Sequence, residues 1–168
     1  SADGRAIDID GGLKVTGRIG GWEYGVLNIA QGEYEGVDSS NLFVGRVSKN
    51  VLAESTLGLI MTSGNPTGNE DNGLVGLDFR YLNTRLPNGK MLEGSAWYQE
   101  SRTDGLDGDE AAAGFSLSAP ATEGLWGEMN YRQIEKNFTP ALGFVSETGV
   151  GAWFVKGGFR WRPQISKF

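Results

Sequence analysis

GLKVTGRIGGWEYGVLNIA, residues Gly12 to Ala30, reads as two strands of membrane-crossing length joined by a tight glycine turn. Leu13, Val15 and Ile19 alternate with Lys14, Thr16 and Arg18, the period-2 pattern of a strand with one apolar and one charged face. Gly20-Gly21 supplies the positive φ angles of a two-residue hairpin. The second strand sorts its faces less cleanly. Glu23 and Gly25 share a face with Leu27 and Ile29, while Asn28 falls with Trp22, Tyr24 and Val26, so a bulge or a strand buried on both sides is expected just after the turn.

The rest of the chain repeats this plan. Strands are expected at Leu42–Lys49, Thr56–Thr62, Leu74–Leu82, Met91–Glu100, Glu110–Ala119 (stopped by Pro120), Leu125–Glu135 and Val150–Arg162, with Arg5–Asp10 as a short extra strand. In the last, Trp153, Val155, Phe159 and Trp161 share one face. No useful helical period is present. The connections alternate short and long from the first hairpin to the last strand, as in an up-and-down barrel with tight turns on one side and longer loops on the other. A soluble up-and-down barrel shows the same alternation with its faces exchanged. Strand lengths near the ~9–11 residues that cross a bilayer favour the membrane version. So do the Gly, Ser, Asn and mixed charges of the polar face, and Trp22 and Tyr81 beside short turns.

Composition narrows the chemistry. The 168 residues suit a single domain, 1–168, whose first eleven residues are either a leader or a short extra strand. With 27 Gly against 5 Pro and no short period, the glycines mark turns and close strand contacts. A net charge of −6 argues against nucleic acid or an anionic membrane surface as partner. The chain has neither Cys nor His, so disulfides, imidazole bases and thiol or serine triads that need histidine are excluded by inventory. No cofactor is called for. No apolar run reaches the ~18 residues of a spanning helix, and the opening SADGRAIDID lacks the charged start and apolar stretch of a signal peptide. Absence of cysteine suits the oxidising route to a bacterial envelope.

Four segments carry a resemblance: GGLKVTGRIGGWEYGVLN (Gly11–Asn28), NLFVGRVSKNVLAESTLGLIMT (Asn41–Thr62), GLDFRY (Gly76–Tyr81) and NFTPALGFV (Asn137–Val145). In order and spacing they resemble an uncharacterised family of bacterial outer-membrane β-barrel domains that usually follow a family-9 carbohydrate-binding module. The most specific match is NFTPALGFV. The resemblance implies a fragment or miniature of a larger surface barrel. The 168 residues are expected to hold the barrel segments without that module, and the family supplies no reaction to carry over.

Following the alternation, Lys14, Arg18, Arg46, Asp78, Arg80, Glu93, Glu128, Arg132, Lys156 and Arg160 share the polar face, where opposite charges would pair across strands or line a narrow aqueous path. Trp97 and Trp126 also fall there, beside Glu93 and Gln99 or Glu128 and Asn130. An indole next to hydrogen-bonding groups can hold a sugar ring or fill a barrel interior. Trp97, Trp126, Glu93, Glu128, Arg80 and Arg132 are therefore the candidate ligand-binding residues. Two of Asp78, Glu93 and Glu128 at about 5 to 10 Å would suit glycoside hydrolysis. The acidic loops NPTGNEDNG and TDGLDGDE offer oxygens that calcium favours but lack the spacing of a twelve-residue calcium loop, and read as solvated turns. Asn137-Phe138-Thr139 fits the N-glycosylation acceptor pattern, which applies only in a eukaryotic secretory route. Phe168 offers a terminal aromatic, with Pro163, Ser166 and Lys167 interrupting the alternation before it.

The expectation is thus an all-β, antiparallel up-and-down β-barrel meander of about 8–10 strands, outer-membrane type. It would act as a passive envelope component or narrow pore of a bacterial outer membrane. Its partners would be the lipid bilayer or detergent, a glycan, and other copies in a homo-oligomer. The alternative is a secreted or periplasmic soluble barrel or sandwich that binds a glycan or small ligand, and behind it a carboxylate-pair glycoside hydrolase.

Overall fold

The structure is a computed structural model that describes residues 7–162. Nine strands follow one another in sequence and in space: β1 (Ile9–Ile19), β2 (Trp22–Gln31), β3 (Ser40–Val51), β4 (Ser55–Ser63), β5 (Asn72–Leu86), β6 (Lys90–Thr103), β7 (Ala111–Ala119), β8 (Gly124–Ile134) and β9 (Val150–Arg160). Each pairs antiparallel with its neighbour in a single sheet ordered β1 to β9. The meander and its strand number match the sequence reading. Part of the Arg5–Asp10 segment, and Phe168 with the residues before it, lie outside the described residues. Among those described, β1 pairs only with β2 and β9 only with β8, so the sheet has two free edges and no closing seam.

Turn chemistry sets the short connections. Gly20 and Gly21 take φ values of 53° and 80°, both left-handed, as a two-residue hairpin with the right twist demands. The Asn50 amide donates to the Gly21 carbonyl at 2.9 Å, tying that turn to β3. The other short connections are residues 52–54, the Pro87–Gly89 turn and residues 120–123. The long ones, residues 32–39, 64–71, 104–110 and 135–149, gather at the opposite end.

The register sorts the side chains onto two unlike faces. One carries Leu13, Val15, Trp22, Tyr24, Val26, Leu57, Met61, Val75, Leu77, Tyr98, Leu117, Trp153, Val155 and Phe159, all exposed. The rings of Phe115, Tyr131 and Trp153 touch in sequence across β7, β8 and β9 with centroids 5.8 and 4.3 Å apart. The other face holds most of the strand charges, with Lys49, Glu100 and Arg102 as exceptions, and also the sheltered residues: Gly58, Asn72, Leu74, Gly76, Ser101, Ala112 and Gly114 are buried there. The apolar face is therefore the open one, the reverse of a water-soluble sandwich.

No bulge follows the first turn. The β1–β2 ladder runs unbroken from Gly11↔Ala30 to Ile19↔Trp22, and β2–β3 has no break. Nor is β2 buried on both sides, since Trp22, Tyr24 and Val26 are exposed, and the mixed pattern has another origin. The physical reason is that the polar face turns apolar near the long loops, where Leu27 and Ile29 lie opposite Val44 and Leu42. Register shifts occur instead at Ile9/Gly11 and Asn83/Leu86. The strands are also staggered. A row that leaves β1 at Ile19, beside a short turn, passes through Trp22, Lys49, Leu57, Phe79, Ala96, Phe115 and Tyr131 and meets β9 at Trp153, near the long loops. Such drift means that the strands are tilted relative to the line of the rows, as a staggered register requires.

The core is small and sits on the polar face at the long-loop end. The connection between β8 and β9 folds back over the sheet, so that Phe138, 3% exposed, packs on Leu74 and Ala112 with Ile60, Trp97, Ile134 and Val145 around it. Burying one phenylalanine contributes about 2–3 kcal/mol, and two nearly inaccessible polar residues fix its backbone. The Thr139 amide donates to Ser101 Oγ at 2.9 Å, the Ala141 amide to Asn72 Oδ1 at 3.1 Å, and Asn72 Nδ2 to the Thr139 carbonyl at 2.7 Å.

Candidate functional site

The residues singled out from sequence lie together on the polar face between β5 and β9, in consecutive register rows. Asp78, Trp97, Gly114 and Arg132 form one row. Arg80, Ser95, Ser116 and Asn130 form the next, and Leu82, Glu93, Ser118, Glu128 and Lys156 the one after. Trp126 lies further toward the short turns, opposite Gly158. Strict alternation along regular strands puts them there, and two-stranded ladders with no break between β6 and β9 keep the rows aligned.

Most of the charge on this face is committed to partners. Arg46 on β3 reaches over β4 to grip Asp78 on β5, with Nη1 and Nη2 donating to the two carboxylate oxygens at 2.8 and 2.9 Å. Gly58 makes the crossing feasible: a Cβ there would stand 2.6 Å from Asp78 Oδ2 and 2.7 Å from Arg46 Nη2. Glu128 receives Lys156 Nζ at 2.9 Å and Asn130 Nδ2 at 2.9 Å. Arg18 pairs with Glu23 near the first turn. Ser95 and Ser116 share a hydrogen bond of 2.7 Å.

The two tryptophans lie against glycines. A Cβ on Gly114 would sit 2.8 Å from the Trp97 ring, so the indole lies flat across β7 while also packing against the Phe138 cluster. The Trp126 ring covers Gly158 in the same way, and the Arg160 guanidinium stands 4.9 Å from its centroid. Both rings thus have protein neighbours where a sugar would stack. Three candidates are left open: among the described residues, Arg80, Glu93 and Arg132 make no ion pair or side-chain hydrogen bond, and both arginines are exposed.

The carboxylates do not assemble a free pair. Glu93 and Glu128 both face Ser118, two strand spacings apart, which sets their backbones about 10 Å from each other. That spacing alone would suit an inverting glycosidase. However, Asp78 is neutralised by Arg46 and Glu128 by Lys156, leaving Glu93 without a second free acid to share the chemistry. At the long-loop end a polar cleft of about 570 Å³ opens between Asp38, Asn41, Asn65, Asp71, Arg102 and Asp104. Its walls are shaped by Asn69, which accepts from the Asp38 amide at 2.8 Å and donates to the Gly36 carbonyl at 3.0 Å. Among the described residues, no group of three or more acidic side chains is arranged to hold a metal ion.

Sequence reasoning missed Asn72, Ser101 and Phe138 as one unit. NFTPALGFV stood out as an unusual string, and the apolar residues Phe138, Leu142, Phe144 and Val145 inside a connection were the signal that the segment packs rather than floats. Searches against protein-family models, curated proteins and solved structures find no match to this chain.

Proposed function

We propose that the chain is wall material of a bacterial outer-membrane β-barrel, a passive envelope component or narrow pore belonging to a larger surface protein, with no catalytic role. The observation that carries this reading is the inversion of the two faces. Exposed aromatic and aliphatic side chains run across eight of the nine strands on one side, while most strand charges lie on the other, where Arg46 pairs with Asp78 and Lys156 with Glu128. An exposed apolar surface of this extent needs a covering, and lipid tails cover a surface whose inner strands satisfy their backbone through ladders, the outer edges of β1 and β9 being left for further strands of the larger surface protein. Strand lengths and stagger fit the same setting. The resemblance of Gly11–Asn28 and Asn137–Val145 to outer-membrane barrel domains points the same way.

Refolding into liposomes followed by flotation tests the reading. The protein should float with the vesicles and migrate differently in gels when unheated. A monomer that stays dispersed in plain buffer without detergent would sink it. The glycan-binding alternative has less support, because Trp97 and Trp126 are occupied by packing.

A further inference from the structure

The β8–β9 connection does more than link two strands. Residues 136–145 cover the polar face of β4, β5, β6, β7 and β8 at the long-loop end, through Ile60, Leu74, Trp97, Ala112 and Ile134. Four further contacts pin the segment at its root. Asn137 donates from its amide to the Asp109 carbonyl at 2.9 Å and from Nδ2 to the Gly108 carbonyl at 2.8 Å, Lys136 pairs with Asp109 at 2.9 Å, and the Ala111 amide donates to Glu135 at 2.8 Å. The two residues that hold its tip, Asn72 and Ser101, are 4% and 1% exposed. Polar groups this well buried are retained where a defined backbone position must be held. Beyond this cluster, towards the short turns, nothing covers the same face in this way, and Arg80 is exposed there.

From this asymmetry we propose that residues 136–145 form a seated plug, which closes the space along the polar face at the long-loop end and leaves a vestibule open at the short-turn end. The proposal rests on the bilayer reading above. Phe138 is the stopper, and Asn72 with Ser101 is the latch that keeps Thr139 and Ala141 in place.

The natural absence of cysteine makes the test clean. Single cysteines at Ala112, beneath Phe138, and at Ser118, in the open rows, are challenged with a water-soluble maleimide in protein refolded into vesicles. Ser118→Cys should react readily, and Ala112→Cys about 100-fold more slowly, since reaction there requires local opening. Adding Phe138→Ala or Asn72→Ala should bring Ala112→Cys close to the rate of Ser118→Cys, and Phe138→Leu should keep it protected. In planar bilayers the cysteine-free Phe138→Ala and Asn72→Ala proteins should conduct several-fold more than the parent. Two results overturn the plug: fast labelling of Ala112→Cys with Phe138 intact, or unchanged conductance in variants that label fast. Failure to float with vesicles is read separately and counts against the bilayer assignment itself.

Discussion

Glycine has an unusual division of labour here, and the consequences are testable residue by residue. An exposed Gly→Ala change in a strand ordinarily stabilises by restricting the unfolded chain, by about 0.4–1 kcal/mol. At Gly58 the added methyl would meet the Arg46–Asp78 pair at 2.6–2.8 Å, and the sign should reverse. Gly58→Ala is expected to destabilise by about 1–3 kcal/mol in urea unfolding from detergent, and the loss should shrink when Asp78→Asn is already present. The turn glycines were legible in the sequence because a hairpin's need for positive φ is local. The importance of Gly58 and Gly114 was not, since a strand glycine acquires its role only once Arg46 or Trp97 is known to cross it. Glu54 offers a second residue-level test. The Thr84 amide and hydroxyl at 2.7 and 2.8 Å, with Arg85 beside them, hold its carboxyl below the ordinary carboxylate range. A depressed folded pKa gives stability that is present above the unfolded carboxylate value and disappears as pH falls through the folded one. The link between the β3–β4 turn and β5 should therefore loosen only below about pH 4, and Glu54→Gln should lose that dependence. Melting temperature followed from pH 7 to 3 in both proteins checks it.

Strands differ in how much holds them. Strand β5 is paired on both sides and its ladder with β6 runs from Asn72↔Thr103 to Asn83↔Leu92, whereas β1 and β9 each have one neighbour and are exposed along nearly their whole length. Hydrogen exchange should follow this order, with amides of β4 to β7 protected longest and those of β1 and β9 exchanging first. Uniform protection across the nine strands would mean that both edges are covered. Most strands could be placed from alternation and turn residues, and their ends differ by a few positions. The ends moved where ladders continued past the apolar pattern, as at Asn83–Leu86 and Ser101–Thr103. The seat of Phe138 was illegible for another reason: a loop that packs inward satisfies its backbone through Asn72 and Ser101, in hydrogen bonds that span 69 and 38 positions of sequence, and no local period reports such a contact.

At the level of the molecule, the apolar face decides between lipid and water. Leu77 is 54% exposed in the middle of that face. In a bilayer, Leu77→Arg should cost about 2–4 kcal/mol of folding free energy, whereas in water an exposed leucine replaced by arginine should be close to neutral. Folding titrations in vesicles for Leu77→Arg beside Gln99→Arg, its polar-face counterpart on the next strand, separate the two outcomes. Fold class, and which side chains share a face, were readable because they depend on period alone, whereas period is silent on which face turns outward. Closure was not readable either, since it depends on what meets the two ends of the sheet.

The number of strands carries a further consequence. Among the described residues the strands number nine, an odd count, and in a meander alternate strands run alike, so β1 and β9 both travel from the long loops towards the short turns. Were these edges to meet, their seam would be a parallel one inside an otherwise antiparallel wall, with slanted and slightly weaker bonds. Any strand that joins either edge in the antiparallel sense must travel the other way, starting among the short turns, and completing the circle in that sense takes an odd number of such additions.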